Sequence, residues 1–194
     1  MPPSPRVLRE RLAEGEALCS NLGDEADDAL VVACTAGAIV VGYPIAYLVG
    51  RTLTFLDPPR LLPGAALPGP RTVAFQRWAA SIPPCRDRRV PRSKAVVLVD
   101  DGLLSPVPLV AMACALRNAR PRRLVVAAPW LRPEARASLH GVADRVHPAR
   151  RSPEPTWYPE PASLARAAGL LSDVVGRCRR SGEITKYGLE GKAG

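Results

Sequence analysis

Asp100 and Asp101 stand side by side at the end of the short apolar run Ala95-Val-Val-Leu-Val99, and Gly102 follows them. A run of that kind reads as a strand covered on both faces, and in open α/β sheets ligands gather at the carboxyl ends of such strands. Two adjacent carboxylates there can accept hydrogen bonds from a sugar diol or hold a magnesium ion. Gly102 permits a sharp turn, and the helix predicted beyond it would offer free backbone N–H groups to a phosphate. Diol acceptors beside a phosphate cradle suit a ribose 5-phosphate. A plainer reading stays open, in which the two acids only cap the next helix and complement its dipole.

The elements that would position these residues follow from apolar spacing. Arg6 to Leu22 has helical periodicity and is ended by Gly23. Leu30–Cys34 reads as a buried strand, Thr35-Ala36-Gly37 as a turn, and Ala38–Val49 as a helix despite Pro44 in its interior. Thr52–Leu56 is a second strand, and the Pro- and Gly-rich stretch Asp57–Pro70 a loop. Arg71–Gln76 is a third strand candidate, and Ser81–Arg92 is irregular. Past the Asp-Asp-Gly turn, the spacing predicts a helix over Pro108–Asn118, a strand over Arg123–Ala128, a helix over Arg132–Leu139 and a strand over Asp144–His147. A loop from Pro148 to Pro161 then precedes a last helix, Ala162–Arg179. Apolar strands alternating with helices indicate an α/β fold, an open, mostly parallel sheet with helices on both faces. One domain over residues 6–179 and a polar, disordered tail over 180–194 are expected.

Composition narrows the function classes. The 194 residues are 47% hydrophobic and 23% charged, ordinary for a globular protein, and carry a net charge of +9. Arginine supplies most of the excess, in Arg86-Asp-Arg-Arg89, Arg117–Arg123, Arg150-Arg151 and Arg177–Arg180. That field suits an anionic partner. Nucleic acid is not the expected one, because neither a groove-entering element nor stacking aromatics interleave with the cations. The five cysteines are widely spaced and form no CxxC pair, and with only His140 and His147 no zinc spacing results. Reduced thiols in the cytoplasm are expected. Ala29–Gly50 carries no charged side chain, yet Thr35-Ala-Gly-Ala38, Gly42, Pro44 and two tyrosines interrupt it, so a buried strand, turn and helix are expected rather than a membrane span.

The apolar strand, the Asp-Asp-Gly turn and the helix after it resemble the type I phosphoribosyltransferase signature. Similarity to a group of stand-alone bacterial phosphoribosyltransferases extends over about residues 6–178, including Arg122-Arg-Leu-Val-Val-Ala-Ala-Pro129, Pro133-Glu-Ala135 and the aromatic pair Trp157-Tyr158. The resemblance implies PRPP, or another phosphorylated small molecule, as ligand, with Mg²⁺ as cofactor. It implies that Asp100 and Asp101 face the ribose hydroxyls, that Asp101 stabilises the cation-like anomeric carbon, and that Gly102, Leu103, Leu104 and Ser105 complete the PRPP loop. Thr35, Ala36 and Gly37 would lie on the pyrophosphate side. A homodimer is allowed for.

The same resemblance shows departures. Pro106 replaces the loop glycine and Pro108 its second threonine, each removing an amide donor. The first-strand loop, Pro-Arg-Gly-Gly in that group, reads Cys34-Thr-Ala-Gly37 here, without the arginine. The lysine after the second strand is absent too, with Arg60 a displaced substitute. Three functions therefore stay open: phosphoribosyl transfer from PRPP to an unidentified acceptor, a catalytically inactive relative that binds a nucleotide or a protein, and a basic nucleic-acid-binding protein.

Overall fold

The computed structural model describes residues 5–51, 53–56, 59, 66–86, 90, 94–102 and 106–148. In chain order the elements are α1 (Pro5–Leu22), a 3₁₀ turn (Gly23–Glu25), β1 (Leu30–Ala33), α2 (Ala36–Leu48), β2 (Leu53–Phe55), α3 (Val73–Ser81), β3 (Ala95–Val99), α4 (Pro106–Asn118), β4 (Arg123–Ala128), α5 (Pro133–Leu139) and β5 (Arg145–Pro148). The expected helix over 162–179 and the tail over 180–194 lie outside the described residues.

The five strands form one sheet in the order β2-β1-β3-β4-β5, and every pairing is parallel. Parallel neighbours require crossovers, and the helices that make them cover both faces. β3 is central and wholly buried, and its side chains alternate between two cores. Val97 and Val99 pack with Leu18, Leu22, Val41 and Ile45 of α1 and α2, whereas Val96 and Leu98 pack with Phe75, Met112, Leu116 and Leu139 of α3, α4 and α5. This two-sided burial explains why β1, β3 and β4 read as unbroken apolar runs. The charge-free stretch Ala29–Gly50 resolves into β1, a turn and α2, and among the described residues no helix is long and apolar enough to cross a membrane.

One expected strand is a helix. Arg71–Gln76 admits a strand reading because Val73 and Phe75 alternate with Ala74 and Gln76, but Val73–Ser81 is α3. Thr72 decides it locally: its hydroxyl accepts the Phe75 N–H at 3.0 Å and donates to the Gly69 carbonyl at 2.7 Å. As a helix the segment brings Phe75 and Trp78 together at 5.9 Å between ring centroids, with Phe75 only 4% exposed, while Val73 is left 62% exposed. The pairing of two rings three residues apart, both packed against the core under α4, outweighs the weak alternation.

Two helices begin earlier than their spacing suggests. α2 starts at Ala36, because the Thr35 hydroxyl accepts the Ala38 N–H at 2.9 Å, and it runs on through Pro44. α4 starts at Pro106, so both prolines occupy its first turn, where a missing N–H leaves no helical bond broken. Thr72→Ala is expected to cost about 1 kcal/mol through loss of the α3 cap. A thermal melt would register this, and an unchanged melting temperature would argue against the capped helix.

Candidate functional site

Strand order 2-1-3-4-5 places a topological switch point between β1 and β3, where the crossovers leave in opposite directions and a crevice opens at the carboxyl ends. Cys34–Gly37 after β1 and Asp100–Gly102 after β3 are the two lips of that crevice. Both segments singled out by sequence are therefore brought together, although 66 positions separate Cys34 from Asp100. Leu103, Leu104, Ser105, Arg60, Trp157 and Tyr158 lie outside the described residues.

The two lips touch through Asp101. Its Oδ2 accepts from the Thr35 hydroxyl at 3.2 Å, the same hydroxyl that caps α2. The carboxylate also lies so close to Gly37 that any side chain there would collide with it, which is why the first turn of α2 needs glycine at this position. Ala36 and Gly37, expected in a loop, are the first two residues of α2. A negative carboxylate at that place is favoured by the positive end of the helix dipole. Asp101 is 4% exposed.

Asp100 is turned into the protein as well, with 3% exposure. Its Oδ2 accepts the Gly102 N–H at 2.9 Å, and the Cys34 thiol lies 3.9 Å from its Oδ1 and 3.8 Å from the Val99 carbonyl. Burial, and then the neighbouring Asp101 carboxylate, push the Asp100 carboxyl up to about 7. The Gly102 N–H pulls the other way and is outweighed. Burial, with Asp100 and Asp101 adding to it, pushes the Cys34 thiol well up, so it acts as a weak donor and not as a nucleophile. Gly102 has φ +77°, and a side chain on it would press on the Trp130 carbonyl.

Sequence reasoning missed two residues. Arg11 of α1, 5% exposed, donates from Nη1 to the Asp101 carbonyl at 3.1 Å and pairs with Glu14 at 2.9 Å. No signal in the sequence marks it, because on a helix that mixes charged and apolar residues spacing alone assigns an arginine to either face. Ser138 of α5 is buried, and its hydroxyl has no hydrogen-bond partner among the described residues. It lines a cleft of about 640 Å³, together with Leu67, Pro70, Pro106, Val107 and Arg132. This cleft lies over the first turns of α4 and α5, and Asp100, Asp101 and Gly102 are not among the residues that line it. Of the first three residues of α4, whose N–H groups a helix leaves free, Pro106 and Pro108 have none to offer, and Val107 keeps its own.

Among the described residues, several arginines gather at the opposite end of the sheet. Arg51 pairs with Asp28, Arg117 with Asp144 and Arg145 with Glu25, all at the amino-terminal ends of the strands, and Arg120, Arg122 and Arg123 are exposed there. Among the described residues no group of three or more His, Cys, Asp or Glu side chains forms a metal site.

No family model matches the chain, and no curated protein does. Among solved structures it is similar to the protein TT1426 from Thermus thermophilus, at 20% identity and a TM-score of 0.55, over 81% of this chain and 95% of that one. A likeness at that identity concerns the α/β fold alone.

The buried acid should be visible in stability. Below about pH 4 Asp100 is protonated in the folded and unfolded chain alike, given its ordinary value of 3.8. As pH rises towards about 7 the unfolded chain gives up this proton while the folded one keeps it, so the folded state binds more protons and stability falls across that window. Asp100→Asn keeps an acceptor for Gly102 and removes this slope. The variant should gain on the parent by about 1–3 kcal/mol between pH 4 and pH 8. Melting curves at both ends of the range check it, and a constant difference would show that Asp100 is not held neutral.

Proposed function

We propose that this protein has a type I phosphoribosyltransferase-like fold whose site takes a phosphorylated ribose compound, and that it binds this ligand without transferring from it. The observation that carries the second half is the inward engagement of the acids. A diol needs free carboxylate oxygens, yet Asp100 accepts from Gly102 and Asp101 accepts from Thr35. The first half is supported by the switch-point position of the Asp-Asp-Gly turn and by the cleft over the first turns of α4 and α5, lined by Arg132 and by Ser138, whose hydroxyl has no hydrogen-bond partner among the described residues. An unmade hydrogen bond on a buried hydroxyl costs about 1–3 kcal/mol, which a ligand oxygen reaching it would recover.

The carboxylates as arranged do not fit a protein-held Mg²⁺. Asp100 is committed to the Gly102 N–H with the Cys34 thiol against its other oxygen, and Asp101 has Oδ2 engaged by Thr35. Mg²⁺ commonly arrives with substrate phosphates.

Transfer from PRPP to an unidentified acceptor is the second reading, and the size of the cleft favours it, since about 640 Å³ leaves room for an acceptor. It would require Asp101 to leave Thr35 and Gly37 and turn outward. Calorimetric titration with PRPP plus Mg²⁺, ribose 5-phosphate and AMP, run beside a pyrophosphate-release assay over a set of nucleobases, separates the readings. Binding of at least one ligand with no pyrophosphate release is expected. Release that Asp101→Asn abolishes would establish transfer instead, and no binding of any of the three at millimolar concentration would remove the ribose-phosphate assignment.

A further inference from the structure

Arg11 poses a question that α1 alone does not answer. It stands next to Leu12 on the side of the helix that packs into the molecule, a place where arginine is rarely buried unless it is paired. Desolvating a guanidinium costs several kcal/mol before its partners are counted, and an apolar side chain would cover the same surface without that cost. What the position does need is a donor. Asp101 lies two residues beyond the end of β3, so its carbonyl has left the ladder that would otherwise satisfy it. Arg11 Nη1 supplies that bond at 3.1 Å, and Glu14, one turn along α1, holds the guanidinium at 2.9 Å.

The peptide between Asp101 and Gly102 is thus held at both ends. Its carbonyl accepts from Arg11, and its N–H donates to Asp100 Oδ2 at 2.9 Å. A peptide that precedes glycine flips readily, because glycine takes positive and negative φ alike. Here Gly102 sits at φ +77°, against the Trp130 carbonyl. Without Arg11, one of the two side-chain contacts that define the plane of that peptide would be lost.

We propose that Arg11 is a positioning residue for the candidate site: it locks the Asp101–Gly102 peptide, and so sets both the attitude of the acid pair and the direction in which the chain leaves β3. Its bearing on a ligand rests on the ribose-phosphate reading above, whereas the lock itself does not.

Residue-resolved amide exchange by NMR on the full chain tests the lock. Arg11→Met keeps the bulk of the side chain but cannot donate. The Gly102 amide should then exchange at least about tenfold faster, with Val97 and Val125 in the central strands unchanged once global stability is corrected for. Arg11→Lys, which can still donate, should restore most of the protection. If Gly102 and the strand amides accelerate together, or if Gly102 does not change, Arg11 is only a core anchor and the proposal is overturned. Should Arg11→Met not fold, Glu14→Ala removes the acceptor that holds the guanidinium and should speed Gly102 exchange about threefold, with no change again overturning the lock. Calorimetry with ribose 5-phosphate supplies the ligand arm, where Arg11→Met should bind at least about tenfold more weakly than the parent. Absence of binding by the parent counts against the ribose-phosphate reading alone, and Gly102 exchange then decides for Arg11.

Discussion

The contact between the Asp101 carboxylate and the Thr35–Gly37 turn spans the switch point, and the geometry of the crevice depends on it. A parallel sheet ordered 2-1-3-4-5 parts its crossovers between β1 and β3, so the polar ends of both loops would stand open there. In this chain Asp101 closes the gap from one side and the first turn of α2 receives it from the other. Several local features then follow. Position 37 must be glycine, Thr35 must carry a hydroxyl that both caps a helix and donates to the acid, and Asp100 is pressed into a dry position beside Cys34. A carboxylate in so dry a place is held neutral more readily than charged.

Two features of this end of the sheet limit what it offers a ligand in the same physical sense. At the strand ends the acids spend hydrogen-bonding capacity on Thr35, Gly102 and Cys34. At the start of α4, Pro106 and Pro108 occupy the first turn and bring no N–H to it. The two prolines are compatible with the fold for the same reason that they make a poor anion cradle: an N–H at a helix start is not needed by the helix itself. The cleft over the first turns of α4 and α5 is lined in part by a buried serine hydroxyl that lacks a partner among the described residues.

The legibility of the fold varied with the kind of signal. β1, β3 and β4 were readable because strands buried on both faces carry unbroken apolar runs, and their pairing follows from parallel crossovers of the right length. Arg71–Gln76 was not readable as a helix, because over six residues its alternation and its helical spacing compete, and the Thr72 cap and the Phe75–Trp78 contact decide between them. The starts of α2 and α4 each fall two residues before the apolar spacing places them, since capping geometry is local and apolar periodicity is not. Arg11 and Ser138 left no usable trace: an arginine on a mixed helix, and a serine in a short one, look like surface residues until the packing is known.

By itself, then, the sequence determined that Asp100 and Asp101 end a buried strand, that a glycine turn follows, and that prolines stand where amide donors are expected to gather. These are properties of residue type and order. Only the tertiary structure decided where the carboxylates point, because that depends on Thr35, Gly37 and Arg11, which are 66, 64 and 90 residues away from Asp101. Chain distance carries no information about such contacts. They exist because the sheet order sets β1 beside β3 and packs α1 over α2, and the direction of a side chain at a strand end is settled by what the fold brings against it.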